Sequence, residues 1–419
     1  MILLNAASAL TLRESVDSGL KNNPSVQAAQ KQVNAAAARL AQATGTFLPT
    51  IKLDGSLARI YTEPSIVQIS TQEIIFGTSD IGAISSYNFS LSQPLFVGAL
   101  FPGLKIAQKG LDTAREEYRR VALETNYAVT VAYFGVLSAA EYVKLSEESL
   151  EMAGTHLRQV SGMLDAGVVT RADYLRTEVR VANAEVALTR ARNTLQLARS
   201  QFNNVLGREV DAPIELAEEP ISTVFILPNS QQLFSEALLF SPSWKSFILT
   251  KQTAEENLSL ARTAYLPTAY LTGSIGNRLT VYPSYATGAN SWTVTGAASW
   301  TLFDGLNITN RVREATANLE TQNATEAQVK NNLALEVRDA YLNLQSALEG
   351  LQSNKKAVSF AAESHKITTQ RYNAGVGTNL EVLDAQVALT EAKINLLKAT
   401  FDVATGRAMI NKIVGKEVI

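Results

Sequence analysis

Residues 371–386 read Arg-Tyr-Asn-Ala-Gly-Val-Gly-Thr-Asn-Leu-Glu-Val-Leu-Asp-Ala-Gln, and this stretch decides the fold because it joins two helices. Gly375 supplies the left-handed residue that ends one helix, and Thr378 supplies an N-cap hydroxyl for the next. Beyond the turn, Leu389, Ala392, Leu396, Ala399, Val403, Gly406, Ile410 and Ile413 alternate spacings of three and four. A 3.5-residue period is a coiled-coil seam. Large residues alternate with small ones, which lets a neighbouring helix come close. On the other side of the turn, no proline follows Pro283, so nothing interrupts the helix that leads into it.

The same device occurs earlier. Ala166-Gly167-Val168 recurs as Ala374-Gly375-Val376, 208 residues on, and Val205-Leu206-Gly207 recurs in type as Ile413-Val414-Gly415 at the same shift. Upstream, Phe47-Leu48-Pro49-Thr50 is matched by Tyr265-Leu266-Pro267-Thr268, and Pro24 by Pro242, at a shift of 218. Thr170 is the matching N-cap. The helix after it carries its own seam, Val181, Ala184, Leu188, Ala191, Leu195, Ala198, Phe202 and Val205. The helix before it has no proline between Pro102 and Pro213. It is expected from about Gly103 to Ala166, on the order of 95 Å. The chain therefore reads as one unit of about 200 residues used twice. The first copy is 1–210, with strands at about 48–58 and 86–96 and a hairpin turn at 166–170. The second is 211–419, with a linker at 211–241, a helix, strands at about 267–276 and 291–303, and a hairpin turn at 374–378.

The strands alternate. Trp292, Val294, Gly296, Ala298, Trp300 and Leu302 form one set, and Thr293, Thr295, Ala297, Ser299 and Thr301 the other. Tyr87, Phe89 and Leu91 alternate with Asn88, Ser90 and Ser92, as Ile51, Leu53 and Leu57 do with Lys52, Asp54 and Ser56. One apolar and one polar face suit a strand between lipid and water. Trp292 and Trp300 lie roughly 26 Å apart along a strand, near the ~25 Å band between aromatic girdles. Residues 59–85 and 277–290 read as loops. Four strands cannot close a membrane barrel, whose minimum is about eight. Either the chain oligomerises or the strands form an ordinary soluble sheet.

Composition narrows the function. The 419 residues carry 37 Lys+Arg, 39 Asp+Glu, 2 His and no Cys. That balance leaves no basic footprint for nucleic acid. Without Cys there is no thiol nucleophile, disulfide, zinc finger or lipidated N-terminal Cys. The longest largely apolar stretch, Ala128 to Leu137, spans about half a bilayer core, so no transmembrane helix is expected and a β-barrel is the remaining way to span. Met1 to Ala9 lacks a basic n-region and reads as a mature or engineered start. His156 and His365 read as surface helix positions. There is no phosphate-binding glycine loop, nucleophile–base arrangement, catalytic residue, cofactor motif or metal-ligand cluster, so no enzyme is expected.

The run 371–386, the paired Leu-Pro-Thr motifs, the opening Ala9-Leu10-Thr11-Leu12 and the terminal Leu-Gly of the first half resemble the TolC family of outer-membrane efflux and secretion channels, over essentially the whole chain. The resemblance implies an α+β membrane protein. Three chains of four strands each would form one 12-stranded β-barrel, continued by a long α-helical coiled-coil barrel built from two internal repeats. It implies a passive exit duct of a tripartite efflux pump or type I secretion system, exporting small molecules such as drugs. The duct would sit in the outer membrane of a Gram-negative bacterium and extend into the periplasm. Its partners would be two further copies, outer-membrane lipid, a periplasmic adaptor (membrane fusion protein) and, through it, an inner-membrane transporter.

The same resemblance places Glu381, Asp384 and Asp173 at a pore constriction. It makes Gly167, Val168, Gly375, Val376 and Thr378 adaptor contacts, and it makes Trp292 and Trp300 a membrane girdle. Gated family members carry Arg in the second turn, and Asn379 is read as the departure from that pattern. The competing reading is a soluble periplasmic coiled-coil adaptor or scaffold, which would be expected to carry one hairpin rather than two.

Overall fold

A computed structural model describes residues 9–62, 65–69, 72–76, 80–217, 225–282 and 285–418. Most of the expected start at Met1 to Ala9, and residues 218–224 of the expected linker, lie outside them. The elements run α1 (Leu12–Asn22), α2 (Pro24–Gly45), β1 (Thr50–Thr62), β2 (Ser65–Ile69), β3 (Gln72–Phe76), β4 (Asp80–Val97), α3 (Leu100–Asp165) and α4 (Arg171–Val205). They continue as α5 (Ser230–Phe240), α6 (Pro242–Thr263), β5 (Thr268–Tyr282), β6 (Tyr285–Ser299), α7 (Asn307–Asn373) and α8 (Asn379–Val414). α3 has 66 residues and α7 has 67, each about 100 Å long at 1.5 Å per residue. Pro102 falls in the first turn of α3, where its missing N–H costs nothing. Asp304 starts α7 by accepting the Ile308 N–H at 2.7 Å.

Contacts divide the chain into two compact units. One comprises 34–112 and 249–325 and holds an antiparallel four-stranded sheet in the order β1-β4-β5-β6. Registers run straight across it: Leu53 faces Phe89, Phe89 faces Ile275, and Ile275 faces Trp292. The next row on that side is Ile51, Leu91, Gly273 and Val294. The opposite face carries Thr50, Lys52, Asp54 and Ser56, then Asn88, Ser90, Ser92, Thr272, Ser274, Thr293 and Thr295. Ser56 and Ser86 share a hydrogen bond at 2.8 Å.

β1 and β5 begin later and end later than the alternation predicts, and β4 and β6 begin earlier. Pro49 and Pro267 offer no ladder N–H, so β1 and β5 start at Thr50 and Thr268, just after them. Residues 59–62, 80–85, 277–282 and 285–290 are strand rather than loop, because ladder bonds join backbone groups and persist where side-chain alternation fades. β2 and β3 form a separate hairpin between β1 and β4. The 291–303 strand stops at Ser299. Pro94 lies inside β4 and is accommodated by a register shift before Phe96.

Gly276 is where β4 and β5 come closest to forbidding a side chain. A Cβ there would sit 2.4 Å from the Tyr87 carbonyl oxygen. Gly276→Val is expected to destabilise the sheet by about 1–3 kcal/mol, as overpacking does, whereas Gly296→Ala, with open space around its Cβ, changes little. Thermal unfolding followed by tryptophan fluorescence checks this, and equal midpoints for the two variants would refute it.

The other unit comprises the N-terminal residues up to Val33, with 113–248 and 326–419. The seam residues of α4 and α8 are its core: Ala184, Leu188, Ala191, Phe202, Leu389, Ala392, Ala399, Val403, Ile410 and Ile413 are buried. One cluster packs Val129, Tyr133, Phe134 and Val136 of α3 on Phe202, Leu206 and Ala404. A second packs Leu233 and Ala237 of α5 on Leu333, Val337, Leu344 and Val403. The Tyr133 hydroxyl donates to the Ala217 carbonyl at 2.6 Å. One stretch of α3 is long and apolar enough, by composition, to cross a membrane, contrary to the expectation that none is. Several of the apolar residues of α3 are committed to the first of these clusters.

Candidate functional site at the hairpin turns

Each long helix pair ends in the same turn. Gly167 adopts φ +74° and Gly375 φ +76°. The Gly167 N–H donates to Leu164 and the Val168 N–H to Met163, both at 2.9 Å; the Gly375 N–H donates to Tyr372 and the Val376 N–H to Arg371, both at 3.0 Å. This pattern satisfies the last carbonyls of α3 and α7. The next side chains project outward: Val168 is 70% exposed and Val376 69%.

Thr170 and Thr378 then open α4 and α8 with capping boxes. The Asp173 carboxylate accepts the Thr170 hydroxyl at 2.6 Å, and the Glu381 carboxylate accepts the Thr378 N–H at 3.3 Å. Both acids are therefore half-buried helix caps as well as charges. Asp384 is exposed, one turn further along α8.

Asn379, the first residue of α8, brings the two turns together. Only 5% exposed, its Nδ2 donates to the Asp173 carbonyl at 3.1 Å and to Thr177 Oγ1 at 3.2 Å. That orientation leaves its Oδ1 as an acceptor, 2.7 Å from His156 Nε2, so His156 donates there. The Tyr372 ring meets the His156 ring edge-on, with centroids 5.4 Å apart. Val160, Tyr372 and Val382 form the apolar cluster around this polar centre. Gln159 of α3 also hydrogen-bonds Asn373 of α7.

Two expectations change here. His156 is 4% exposed and not a surface residue, because its ring closes the gap between α3 and α8. His365 is half-buried beside it, and both line a cavity of ≈ 380 Å³ with Glu148, Glu151 and Gln386. Burial pushes the His156 imidazole below its ordinary range, against a smaller upward pull from the Asn379 hydrogen bond. Burial and then the proximity of His156 lower His365. Burial and then Asp173 raise the Tyr372 phenol. Asn379, read from sequence as a missing Arg, is the hub of the turn region. Among the described residues no group of three or more His, Asp or Glu is arranged to hold a metal.

The two tryptophans lie in the sheet unit. Trp292 is at the middle of β6 and 74% exposed. Trp300 is one residue past β6, its Nε1 donating to the Tyr265 carbonyl at 3.0 Å.

Comparison with known proteins gives this architecture a family. Residues 16–208 and 233–416 match the family model described as outer membrane efflux protein. The chain belongs to the outer membrane efflux protein family. As a family member it is a non-enzymatic outer-membrane channel protein, which sets aside the soluble-scaffold reading. It is 23% identical over 409 residues to the outer membrane efflux protein BepC of Brucella suis, spanning 97% of this chain and 86% of that one. It is 24% identical over 422 residues to the alkaline protease secretion protein AprF of Pseudomonas aeruginosa, spanning 99% and 86%. The Campylobacter jejuni CmeC outer membrane channel superposes with a TM-score of 0.80 at 18% identity, covering 96% of this chain and 85% of that one. The outer membrane efflux protein fold, a four-stranded sheet with two long helical hairpins in each chain, is thus shared.

Proposed function

We propose that three copies of this chain form one passive exit duct, crossing the outer membrane of a Gram-negative bacterium as a shared barrel and reaching into the periplasm as a helical tunnel. The observation that carries this reading is the sheet. One face is largely apolar and the other is polar, with Ser and Thr beside Lys52, Asp54 and Asn88, as lipid on one side and water on the other require. Among the described residues, β1 and β6 each have only one strand neighbour. Open strand edges seek partners. Because every neighbouring pair is antiparallel, β1 and β6 run in opposite directions, so β6 of one copy can join β1 of the next without breaking the alternation.

Trp300 and Trp292 bound the apolar band as its girdles. The Asn277–Asn290 hydrogen bond at 2.7 Å, one residue pair beyond Trp292 on that face, marks where headgroups begin. The chain is two copies of one unit, 1–210 and 211–419, each giving a strand pair and a hairpin. At the turns, Gly167, Val168, Gly375, Val376 and Thr378 meet a periplasmic adaptor, which links the duct to an inner-membrane transporter. Glu381, Asp384 and Asp173 line the constriction. The names of BepC and AprF cover efflux and protease secretion. The duct reading assigns this chain small-molecule efflux, with type I secretion as the second use of the same passage.

The test is reconstitution. Purified protein is expected to run as a trimer by native mass spectrometry and to conduct ions across planar bilayers. Monomers without conductance would overturn the reading.

A further inference from the structure

We propose that Asn379, held between His156, Thr177 and the Asp173 carbonyl, is an acid-released clasp that positions the two hairpin turns of one chain against each other. It rests on the duct reading only for its consequence, flow past the turns. The clasp itself joins parts of a single chain.

Three helices meet at one amide. His156 is 223 residues from Asn379, Asp173 is 206 and Thr177 is 202. Thr177 is 0% exposed, and its hydroxyl also donates to the Asp173 carbonyl, at 2.9 Å. A buried polar group that loses its partner bears the full desolvation cost, so the set holds together or releases together. Moving α8 away from α3 and α4 would orphan His156 Nε2, Asn379 Oδ1 and Asn379 Nδ2 at once. No apolar contact is this selective about geometry.

The clasp contains a group that can change charge. Neutral His156 keeps one N–H, on Nε2, and gives it to Asn379. A second proton would go to Nδ1 and place a full charge against Val160, Tyr372 and Val382. The charges nearby do little to neutralise it. On α3, Glu148 and Glu151 share the cavity with His156, and Glu148 is already bound to Lys393 of α8 at 2.6 Å. On α7, His365 adds repulsion once charged, and Tyr372 presents a neutral ring. The Asp173 carboxylate on α4 faces Thr170, and that of Glu381 on α8 faces Thr378.

The sign follows from linkage. His156 titrates below its ordinary range while the clasp is closed and returns to that range when released. The released state therefore binds more protons as pH falls, and the clasp is intact above the ordinary imidazole range and weakens on passing down through it.

Hydrogen exchange of the assembled, full-length protein tests this at the amides of 372–383. Protection of the wild type, corrected for intrinsic rates, is expected to fall from about pH 8 to about pH 5.5, because the released state takes up the proton that the closed clasp resists. His156→Gln keeps a neutral donor for Asn379 and should hold its protection across that range. Asn379→Asp sets a carboxylate opposite the imidazole and should reverse the trend, with protection rising as pH falls. Asn379→Ala should lose protection at both ends. A wild type indifferent to pH, or a His156→Gln variant that follows the wild-type curve, overturns the clasp. If Asn379→Ala fails to assemble, the opposite slopes of the wild type and Asn379→Asp decide the matter alone. Bilayer conductance of the same samples separates the two readings. Absence of current at every pH defeats the duct and leaves the clasp to the exchange result. Current that rises with acid in the wild type and not in His156→Gln supports both.

Discussion

Gly415→Val is expected to lower stability by about 2–5 kcal/mol, through two costs that add. Gly415 closes α8 at φ +88°, a conformation that costs a side chain with a Cβ about 1–2 kcal/mol and a β-branched one the most. Its Cβ would also lie 2.4 Å from the Phe240 carbonyl oxygen and 2.8 Å from the carbonyl carbon. Both are backbone atoms at the end of α5, where nothing can rotate away, so overpacking adds about 1–3 kcal/mol. The damage would spread, since the Gly415 carbonyl accepts Arg119 Nη2 of α3 at 3.0 Å. Gly207 faces the end of α1 in the same way, 2.6 Å from the Asn22 carbonyl oxygen, so Gly207→Val should cost a similar amount. Gly406→Ala is the contrast, because its nearest neighbour at 3.1 Å is the Leu344 side-chain tip, which can shift. Denaturant midpoints of the three variants measure the difference. A Gly415→Val protein as stable as Gly406→Ala would show that the helix ends do not hold each other.

These glycines and the turn glycines belong to the part of the fold that was legible in sequence. Helix caps are local. Thr170 with Asp173, and Thr378 with Glu381, act across three residues, so their meaning is carried by their spacing. The seams of α4 and α8 are periodic, and their members are buried or half-buried as the period requires. Strand ends were less legible. The alternation fades after Leu57 and before Tyr87, yet β1 and β4 continue pairing to Thr62 and Asp80, because the ladder is made by backbone groups that carry no side-chain signature.

The centre of the candidate site was not legible at all. No local pattern links His156 to Asn379 across 223 residues, and a lone His among the polar residues near the end of a long helix looks like any other solvated position. One signal could have been used. Thr177 and Asn379 are polar residues standing where the buried face of each hairpin helix requires contact, at Thr170 plus seven and directly after Thr378. A polar residue on a buried face demands a partner, and the 2 His of the chain were candidates for that role. The physical reason for placing polarity there is specificity of register. Apolar seams let helices slide by a heptad with little penalty, whereas an amide with three directed hydrogen bonds accepts one alignment.

Glu381→Gln combined with Asp384→Asn is expected to reduce the preference for cations over anions on the order of tenfold, the low end of the effect of a one-signed cleft on local ion concentration. In the proposed trimer the pair supplies six carboxylates to one ring, and crowded like charge attracts cations while repelling anions. The choice of substitutions matters. Glu381 also caps α8 through the Thr378 N–H, and glutamine preserves that bond, so charge is removed and the turn is kept. Glu381→Ala would lose the cap as well, at about 0.5–2 kcal/mol, confusing a selectivity change with a loosened tip. Reversal potential in a salt gradient gives the ratio directly. The difference between wild type and variant should shrink at high ionic strength, because the screening length falls from about 10 Å at 0.1 M to about 3 Å at 1 M. An effect of geometry alone would survive the salt. An unchanged reversal potential at low salt would remove Glu381 and Asp384 from the constriction and leave them as what their hydrogen bonds and exposure already make them, a helix cap and a solvated neighbour.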